Sequence, residues 1–178
     1  MHRTVAMGQL ILIAIAVGAG MLNALQVALP GGIARDRGAW EATWISMLAS
    51  LTGMAILLAL LAFAGTSISL RPPFASSWPY VFIAVILGGS LAIAGDGLPP
   101  YLLLTGLAAI PYLLVASFVG PQLGLAVFFA SIVSGQLIGS VLLDHVGAFG
   151  VAVRPVSPAR VIGIGSLLLG VILIRGTD

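Results

Sequence analysis

Residues 129–147 read FASIVSGQLIGSVLLDHVG, and this stretch decides the fold class. Most of it is apolar, as a helix inside a bilayer must be, yet small residues recur at four-residue spacing at Ser131, Gly135 and Gly139. Residues four apart lie on one face of a helix, and small residues on such a face let two helices approach closely in lipid. The stretch predicts a membrane helix that packs through these three residues.

The rest of the chain has the same apolar character. Of its 178 residues, 60% are hydrophobic and only 7% are charged, and the mean hydropathy is +1.20. Soluble domains do not have that composition, and about 20 apolar residues are enough for one membrane span. The sequence predicts an all-α, polytopic helical membrane protein, with residues 1–178 forming a single membrane domain in contact with the lipid bilayer.

Apolar runs separated by charged or Pro/Gly-rich breaks predict the individual helices. The runs cover residues 5–29, 43–64, 80–95, 101–119, 122–143 and about 157–174. We predict about six transmembrane helices, with five spans plus a re-entrant or interfacial segment as the alternative, because the run at 80–95 is short. Pro30 and the two glycines after it are expected to end the first helix.

The charged residues lie between these runs. All seven basic residues are arginines and the net charge is +2, which indicates contact with lipid headgroups and no nucleic-acid partner. With six spans, Arg3, Arg71 and Arg175 lie on one side and Arg35, Arg37, Arg154 and Arg160 on the other. Positive charge orients membrane proteins, so this near-balance favours either dual insertion as an antiparallel homodimer or a weakly biased single topology.

Amide and hydroxyl side chains lie inside two of the predicted spans. Gln136 and Ser140 neighbour the small-residue face, and Asn23 and Gln26 share one face of the first helix. One interpretation is that Gln136 hydrogen-bonds a neighbouring helix. The other is that all four residues line a cavity and bind substrate, since an amide offers donors and acceptors without the cost of an ion.

The acidic residues lie away from the centres of the spans. Asp144 and His145 come closest, at the end of the fifth predicted span. They are candidates for a gate or proton relay, because an acid next to a histidine can pass a proton. The alternative is that they anchor the helix end at the water boundary, where ionisable residues are ordinary.

The sequence offers little for catalysis. It has no cysteine, no HExxH or GxSxG motif, and only two histidines, which lie far apart. These constellations carry most metal and nucleophile chemistry. We therefore predict that the protein is not an enzyme and has no catalytic residue, no metal site and no cofactor.

Five motifs follow one another between residues 106 and 175. They are a Pro-x-x-Gly turn, a Gly-Gln pair, an Asp-His-x-Gly helix end, an Arg-Pro-x-Ser segment and a last helix that carries glycines. They lie at Pro121 and Gly124; Gly135 and Gln136; Asp144, His145 and Gly147; Arg154, Pro155 and Ser157; and Gly163 and Gly170. This series resembles the YdcZ family of the drug/metabolite transporter superfamily. Gln26 matches a glutamine of that family, whereas Pro30 replaces its usual asparagine, and the segment 72–97 is additional to its usual five spans.

The resemblance implies a multi-pass protein of the bacterial inner (cytoplasmic) membrane, in a family whose members occur as opposite-topology pairs, fused copies or dual-topology chains. We predict a small secondary transporter of a small polar or amphipathic metabolite or drug-like solute. It would act by alternating access in an antiparallel homodimer, or with a homologous partner chain. The alternative is a non-transporting accessory or assembly subunit that packs against a larger membrane protein.

Overall fold

The structure is a computed structural model that describes the backbone of residues 2–66 and 71–175 and the side chains of residues 7–66 and 71–174. The side chains of Arg3 and Arg175, used above to count charges, lie outside the described residues. The α-helices are α1 (His2–Asn23), α2 (Leu25–Arg37), α3 (Ala39–Phe63), α4 (Trp78–Ala94), α5 (Ala109–Leu123), α6 (Leu125–Val146) and α7 (Pro158–Arg175). Short 3₁₀ helices cover Pro100–Leu104 and Ala148–Gly150.

Six apolar helical segments follow the six predicted runs. Met7–Arg37, Ala39–Phe63, Pro100–Leu123 and Leu125–Val146 are long and apolar enough to cross a membrane, whereas Trp78–Ala94 and Pro158–Ile174 are shorter apolar helices. These lengths and compositions confirm the predicted class. The chain is an all-α, polytopic helical membrane protein.

The first segment differs from its prediction at Pro30. This proline lies inside α2, which continues to Arg37, so it does not end the helix. The helix is instead interrupted at Ala24, a turn residue between α1 and α2. A proline ring has no N–H and clashes with the carbonyl group four residues earlier. The break in the helix therefore lies at Ala24, on the N-terminal side of Pro30. Pro30 itself lies within the helix that follows the break.

The fourth segment is also interrupted. Its 3₁₀ helix ends at Leu104, residues 105–108 form turns, and α5 begins at Ala109. Gly106 has a φ of +82°, a backbone conformation that favours glycine. The apolar run at 101–119 therefore contains two helical pieces and a turn where a continuous helix was expected.

Two compact units make up the chain, and the first combines residues 1–28 with 111–178. In this unit α6 packs along α1 and also contacts α7. An ideal Cβ on Gly135 would meet Val17, and one on Gly139 would meet Met21, so residue numbers rise together along the two helices. Helices α1 and α6 thus run parallel. The hydrophobic core of this unit contains Ala16, Ala19, Val119, Phe128 and Ile132, from α1, α5 and α6.

The second unit covers residues 29–110 and is built on an antiparallel pair, α3 and α4. Thr52 lies opposite Gly88, at 3.5 Å from an ideal glycine Cβ, and Phe63 lines the same groove as Val81. At the other end, the Arg37 guanidinium donates to the Ala94 carbonyl at 2.9 Å. Helix α4 has 17 residues and runs alongside the longer α3, which has 25.

Candidate functional site

The closest approach in the first unit is between α1 and α6. An ideal Cβ on Gly135 would lie 2.0 Å from the Val17 carbonyl oxygen, and one on Gly20 would lie 2.2 Å from that of Ile132. One on Gly139 would lie 2.7 Å from the Met21 oxygen. These distances leave no room for a side chain, so glycine is required on both helices. The two backbones are in direct van der Waals contact.

Gly20 was missing from the residues that sequence reasoning selected for this contact. Ala16, Gly20 and Ala24 recur at four-residue spacing on the first helix, and all three are buried. This spacing is the same signal as on α6. It could have been found in the sequence by searching every span for small residues four apart.

The serines of α6 satisfy their hydroxyl groups within their own helix. Ser131 and Ser134 are fully buried. Ser131 donates to the Val127 carbonyl at 2.7 Å and Ser134 donates to that of Ala130 at 2.8 Å. The two serines therefore support the helix contact through their small volume and not through a hydrogen bond between helices.

The four residues predicted to bind substrate all belong to the first unit. The backbone N of Gln136 lies 3.1 Å from the ideal Cβ position on Gly20, so Gln136 flanks the crossing of α1 and α6. Asn23 lies between Met21 of α1 and the turn residue Ala24, both of which face Gly139. Gln136 and Asn23 are half-buried, whereas Ser140 is exposed. Within the described residues, the side chains of these three make no hydrogen bond.

Gln26 is half-buried just beyond the interruption at Ala24. Its Oε1 atom is buried and has no hydrogen-bond partner among the described residues. Its backbone carbonyl also lacks the usual helical donor four residues later, because that residue is Pro30. A buried acceptor without a donor is costly. Gln26 is therefore suited to accept a hydrogen bond from a ligand hydroxyl, a ligand ammonium group or a water molecule.

Asp144 and His145 connect the end of α6 to the segment before α7. The Asp144 carboxylate lies 3.3 Å from the Arg160 guanidinium, and the Asp144 carbonyl accepts a hydrogen bond from the Arg154 N–H at 2.8 Å. His145 Nδ1 accepts from the Val156 N–H at 3.4 Å. Each of these contacts can hold the turn between α6 and α7. Whether the pair also acts as a gate or proton relay stays a prediction.

A second polar cluster, not selected from the sequence, lies where α3 meets the interrupted segment. The hydroxyls of Ser46 and Thr105 are 2.7 Å apart, and the Ser50 hydroxyl donates to the Gly106 carbonyl at 2.8 Å. Non-helical backbone at membrane depth is tolerated only where protein or water satisfies it. The Ser50 hydroxyl does this for the Gly106 carbonyl in the turn at 105–108. The Thr-Gly pair inside an apolar run was the available sequence signal.

An arginine cluster closes the end of the α3–α4 pair. Arg37 pairs with Glu41 at 2.9 Å and donates to the carbonyl groups of Ala94 and Asp96. A cation at a helix C-terminus interacts favourably with the helix dipole and with unpaired carbonyl groups. This cluster joins the start of α3 to the end of α4.

Two other features limit what the second unit can bind. A groove of about 340 Å³ between α3 and α4 is lined only by apolar side chains, from Ile56, Ala59, Leu60, Phe63, Val81, Ala84 and Val85. Among the described residues, no group of three or more His, Cys, Asp or Glu side chains is placed to hold a metal ion.

Comparisons with known proteins agree with this membrane architecture. Neither a curated protein nor a solved structure matches the chain. A family model described as "Putative inner membrane exporter, YdcZ" matches residues 11–173. The match covers the helices of both units and confirms the resemblance seen in the sequence. This family is one of transporters rather than enzymes, and the chain belongs to it.

Proposed function

We propose that the protein is a secondary exporter of small polar or amphipathic solutes that carry a hydrogen-bond donor. The observation that carries the proposal is the buried Oε1 atom of Gln26, which has no partner within the described chain. Asn23 and Gln136 belong to the same unit and have no hydrogen bond of their own there. These neutral amides favour a hydroxyl or amine group over a multivalent ion, which would need charged ligands.

The same geometry supports a conformational role for the first helix. The helix is interrupted at Ala24 and carries Pro30 four residues after Gln26. Interrupted helices near the substrate are common in secondary transporters, where inverted repeats alternate between two states. We propose that two antiparallel copies of this chain supply those repeats. Bending at Ala24 would then expose Gln26 to either side of the membrane in turn.

A transport assay with matched glutamine variants tests the substrate role. The purified protein is reconstituted in liposomes and the flux of an amphipathic amine, ethidium, and of a panel of small polar amines and alcohols is measured. Gln26→Leu and Gln136→Leu should each abolish flux while the protein stays folded. Gln122→Leu is the control, because Gln122 is exposed on α5 and its amide donates to the carbonyl of Phe118 in its own helix.

Three outcomes of this assay are informative. Loss of flux in the Gln26 and Gln136 variants, but not in the Gln122 variant, supports the proposal. Equal flux in all three variants would remove the amides from the substrate site. Absence of flux from the wild-type protein across the whole panel, together with stable co-purification of a larger membrane protein, would favour the accessory-subunit alternative.

The antiparallel arrangement has its own test, because the chain lacks cysteine. Ala152 is exposed in the segment between α6 and α7 and is a suitable position for a single cysteine. Ser157 is less suitable because its hydroxyl accepts a hydrogen bond from the Arg160 N–H, in the first turn of α7. An impermeant thiol reagent should label about half of Ala152→Cys from outside intact cells if insertion is dual. Labelling of all or none of the protein would rule out the antiparallel homodimer.

A further inference from the structure

We propose that the second unit binds one anionic phospholipid. An acyl chain of this lipid lies in the apolar groove between α3 and α4, and its phosphate group binds at Arg71 and the N-terminus of α4. The lipid is a bound component of the unit and not the transported solute, so the proposal does not depend on the proposed transport function.

The groove has the dimensions of a site for an acyl chain. It has a volume of about 340 Å³ and only apolar side chains line it. Along α3 the groove extends from Ile56 to Phe63, which is about 10 Å at a rise of about 1.5 Å per residue. One leaflet supplies half of a hydrocarbon core of about 30 Å. The groove therefore covers about two-thirds of the depth that an acyl chain occupies in one leaflet.

The groove reaches the end of the helix pair at which α4 begins. Thr52 packs against Gly88, and the two helices are antiparallel. Phe63 lies 63 − 52 = 11 residues after Thr52, and Ser77 lies 88 − 77 = 11 residues before Gly88, so these two residues are level. Trp78, which is 71% exposed, follows at once, and tryptophan is typical of the membrane–water interface. This end of the groove is thus at the depth of the lipid headgroups.

A single cation without an acidic partner lies at this end. Arg71 is the one charged residue in the sequence between Glu41 and Asp96. Its side chain is exposed, and within the part of the chain that the structure describes it makes no ion pair or hydrogen bond. The loop between α3 and α4 therefore carries one uncompensated positive charge, which an anionic headgroup complements.

Backbone and ring contacts hold Arg71 beside the groove. The Phe74 N–H donates to the Arg71 carbonyl at 3.0 Å, and the Tyr80 hydroxyl donates to the Phe74 carbonyl at 2.6 Å. The rings of Phe74 and Tyr80 are also in contact, with their centroids 6.1 Å apart. Tyr80 lies in the first turn of α4 and is followed by Val81, which lines the groove. The loop thus folds back onto the turn of α4 where the groove opens.

The first turn of α4 supplies hydrogen-bond donors for the same headgroup. Ser77 precedes the helix, but its side chain does not cap it. The first helical hydrogen bond is donated by the Val81 N–H to the Ser77 carbonyl at 3.1 Å. The N–H groups of Trp78 and Tyr80 precede that bond, and Pro79 has no N–H. A phosphate group suits such a helix start, and the groove provides the site for the chain attached to it.

The opposite end of the helix pair does not offer an unpaired arginine of this kind. Arg37 is paired with Glu41 at 2.9 Å and donates to the Ala94 carbonyl at 2.9 Å. The charge on Arg37 therefore already has partners within the protein. A helix of a second copy could also cover the apolar groove, but it would not require an anion at Arg71. The dependence on headgroup charge separates these two occupants.

Native mass spectrometry of the full-length protein in detergent measures the headgroup requirement. Phosphatidylglycerol and phosphatidylcholine with identical acyl chains are titrated separately. The wild-type protein should bind one phosphatidylglycerol with about fivefold higher affinity than phosphatidylcholine, the preference that one arginine near the headgroups provides. Arg71→Gln should make the two affinities equal. Arg154→Gln removes the same charge from an exposed side chain in the first unit and should keep the wild-type preference.

A second pair of variants tests the groove. Ala84 is half-buried and lines it, so Ala84→Leu fills part of its volume. Exclusion of two or more methylene groups should weaken binding of both lipids by about tenfold or more. Ala92→Leu makes the same change at an exposed position of α4 outside the groove and should leave both affinities unchanged. Val85→Gln, at another groove position, serves if Ala84→Leu does not fold.

Four results would overturn the lipid site. They are equal affinity of the wild-type protein for the two lipids, an unchanged preference in Arg71→Gln, and unchanged binding in Ala84→Leu. The fourth is a dimer that Ala84→Leu dissociates while the lipid affinities stay the same, which would assign the groove to a second copy. Glycerol phosphate, which carries the anion without acyl chains, should not displace phosphatidylglycerol at equal concentration. Displacement by it would show a site for a free phosphate ester and would remove the groove from the proposal.

Discussion

A methyl group at the crossing of α1 and α6 is the sharpest test of the first unit. In Gly135→Ala the new Cβ would lie 2.0 Å from the Val17 oxygen, whereas real Cβ contacts essentially never fall below 3.0 Å. The obstacle is backbone, so the two helices must move apart by about 1 Å. A gap of that size loses roughly a quarter to a half of each dispersion contact. Overpacking of this kind costs about 1–3 kcal/mol.

Alanine has a higher helix propensity than glycine, so a Gly→Ala change in a helix also stabilises the protein by about 1 kcal/mol. The control variant must carry the same change so that this term cancels in the comparison. Gly18 and Gly20 lie two residues apart on α1, and within the described chain nothing lies within 4 Å of an ideal Cβ on Gly18. Gly20→Ala and Gly18→Ala therefore differ in the steric term alone. The free energy of unfolding, measured by SDS titration in mixed micelles, should be about 1–3 kcal/mol lower for Gly20→Ala than for Gly18→Ala.

Two substitutions at this same interface are not expected to be additive. Once one alanine has separated the helices, a second one meets less resistance, so Gly20→Ala and Gly135→Ala together should cost less than the sum of the two single changes. Gly139→Ala, with its nearest contact at 2.7 Å, should cost less than Gly135→Ala. Equal stability of Gly18→Ala and Gly20→Ala, or additive single changes, would show that α1 and α6 are not in backbone contact.

Three further substitutions have expected outcomes in the same unfolding assay. Thr52→Val removes a buried hydroxyl with no partner among the described residues and should raise the free energy of unfolding by about 1 kcal/mol; a loss of stability would contradict this. Arg37→Gln removes the ion pair with Glu41 and the bond to Ala94 and should lower it by about 1–3 kcal/mol, with faster proteolysis after α4. Asp144→Asn should lower it by less than about 1 kcal/mol, because the pair with its arginine is partly exposed. Unchanged solute flux per folded protein would then identify Asp144 as an anchor, and loss of flux would identify it as part of a gate or relay.

Hydropathy predicted the positions of the helices because the bilayer imposes one strong requirement on every span, an apolar length. Thus α3, predicted at 43–64, extends over Ala39–Phe63, and α6, predicted at 122–143, extends over Leu125–Val146. The same measure could not detect the turn at 105–108. Its residues are apolar or small, and a hydropathy average does not report the positive φ of Gly106.

The partners of that turn were also invisible in the sequence. Ser46 lies 59 residues before Thr105, and nothing in either local pattern indicates that their hydroxyls meet. Pro30 was misjudged for a different reason. A proline ends a helix in water more readily than in a membrane, where the helix is retained because unpaired backbone is more costly. The small-residue spacing on α6 was informative because a glycine face has few uses in lipid other than close packing.

The relative direction of α1 and α6, which belong to the same unit, limits how many times the chain between them can cross the membrane. Helices α1 and α6 run parallel, so the chain between them must cross an odd number of times. Helix α4 has 17 residues, about 25 Å at 1.5 Å per residue, and it follows α3 along its length. If α3, α4 and α5 all cross, the number is three, as six spans require. If α4 did not cross, α1 and α6 would be antiparallel.

This parity can be measured even if insertion is dual. Ser76 and Ala152 are exposed and are separated by α4, α5 and α6. In a Ser76→Cys, Ala152→Cys chain with six spans, the two thiols lie on opposite sides of the membrane in either orientation. An impermeant reagent added outside intact cells should therefore attach one label to every molecule, as read by intact mass. A mixture of unlabelled and doubly labelled molecules would mean that α4 does not cross. The C-terminus would then lie on the opposite side from the N-terminus, and the near-balance of arginines would have to be counted again with five spans.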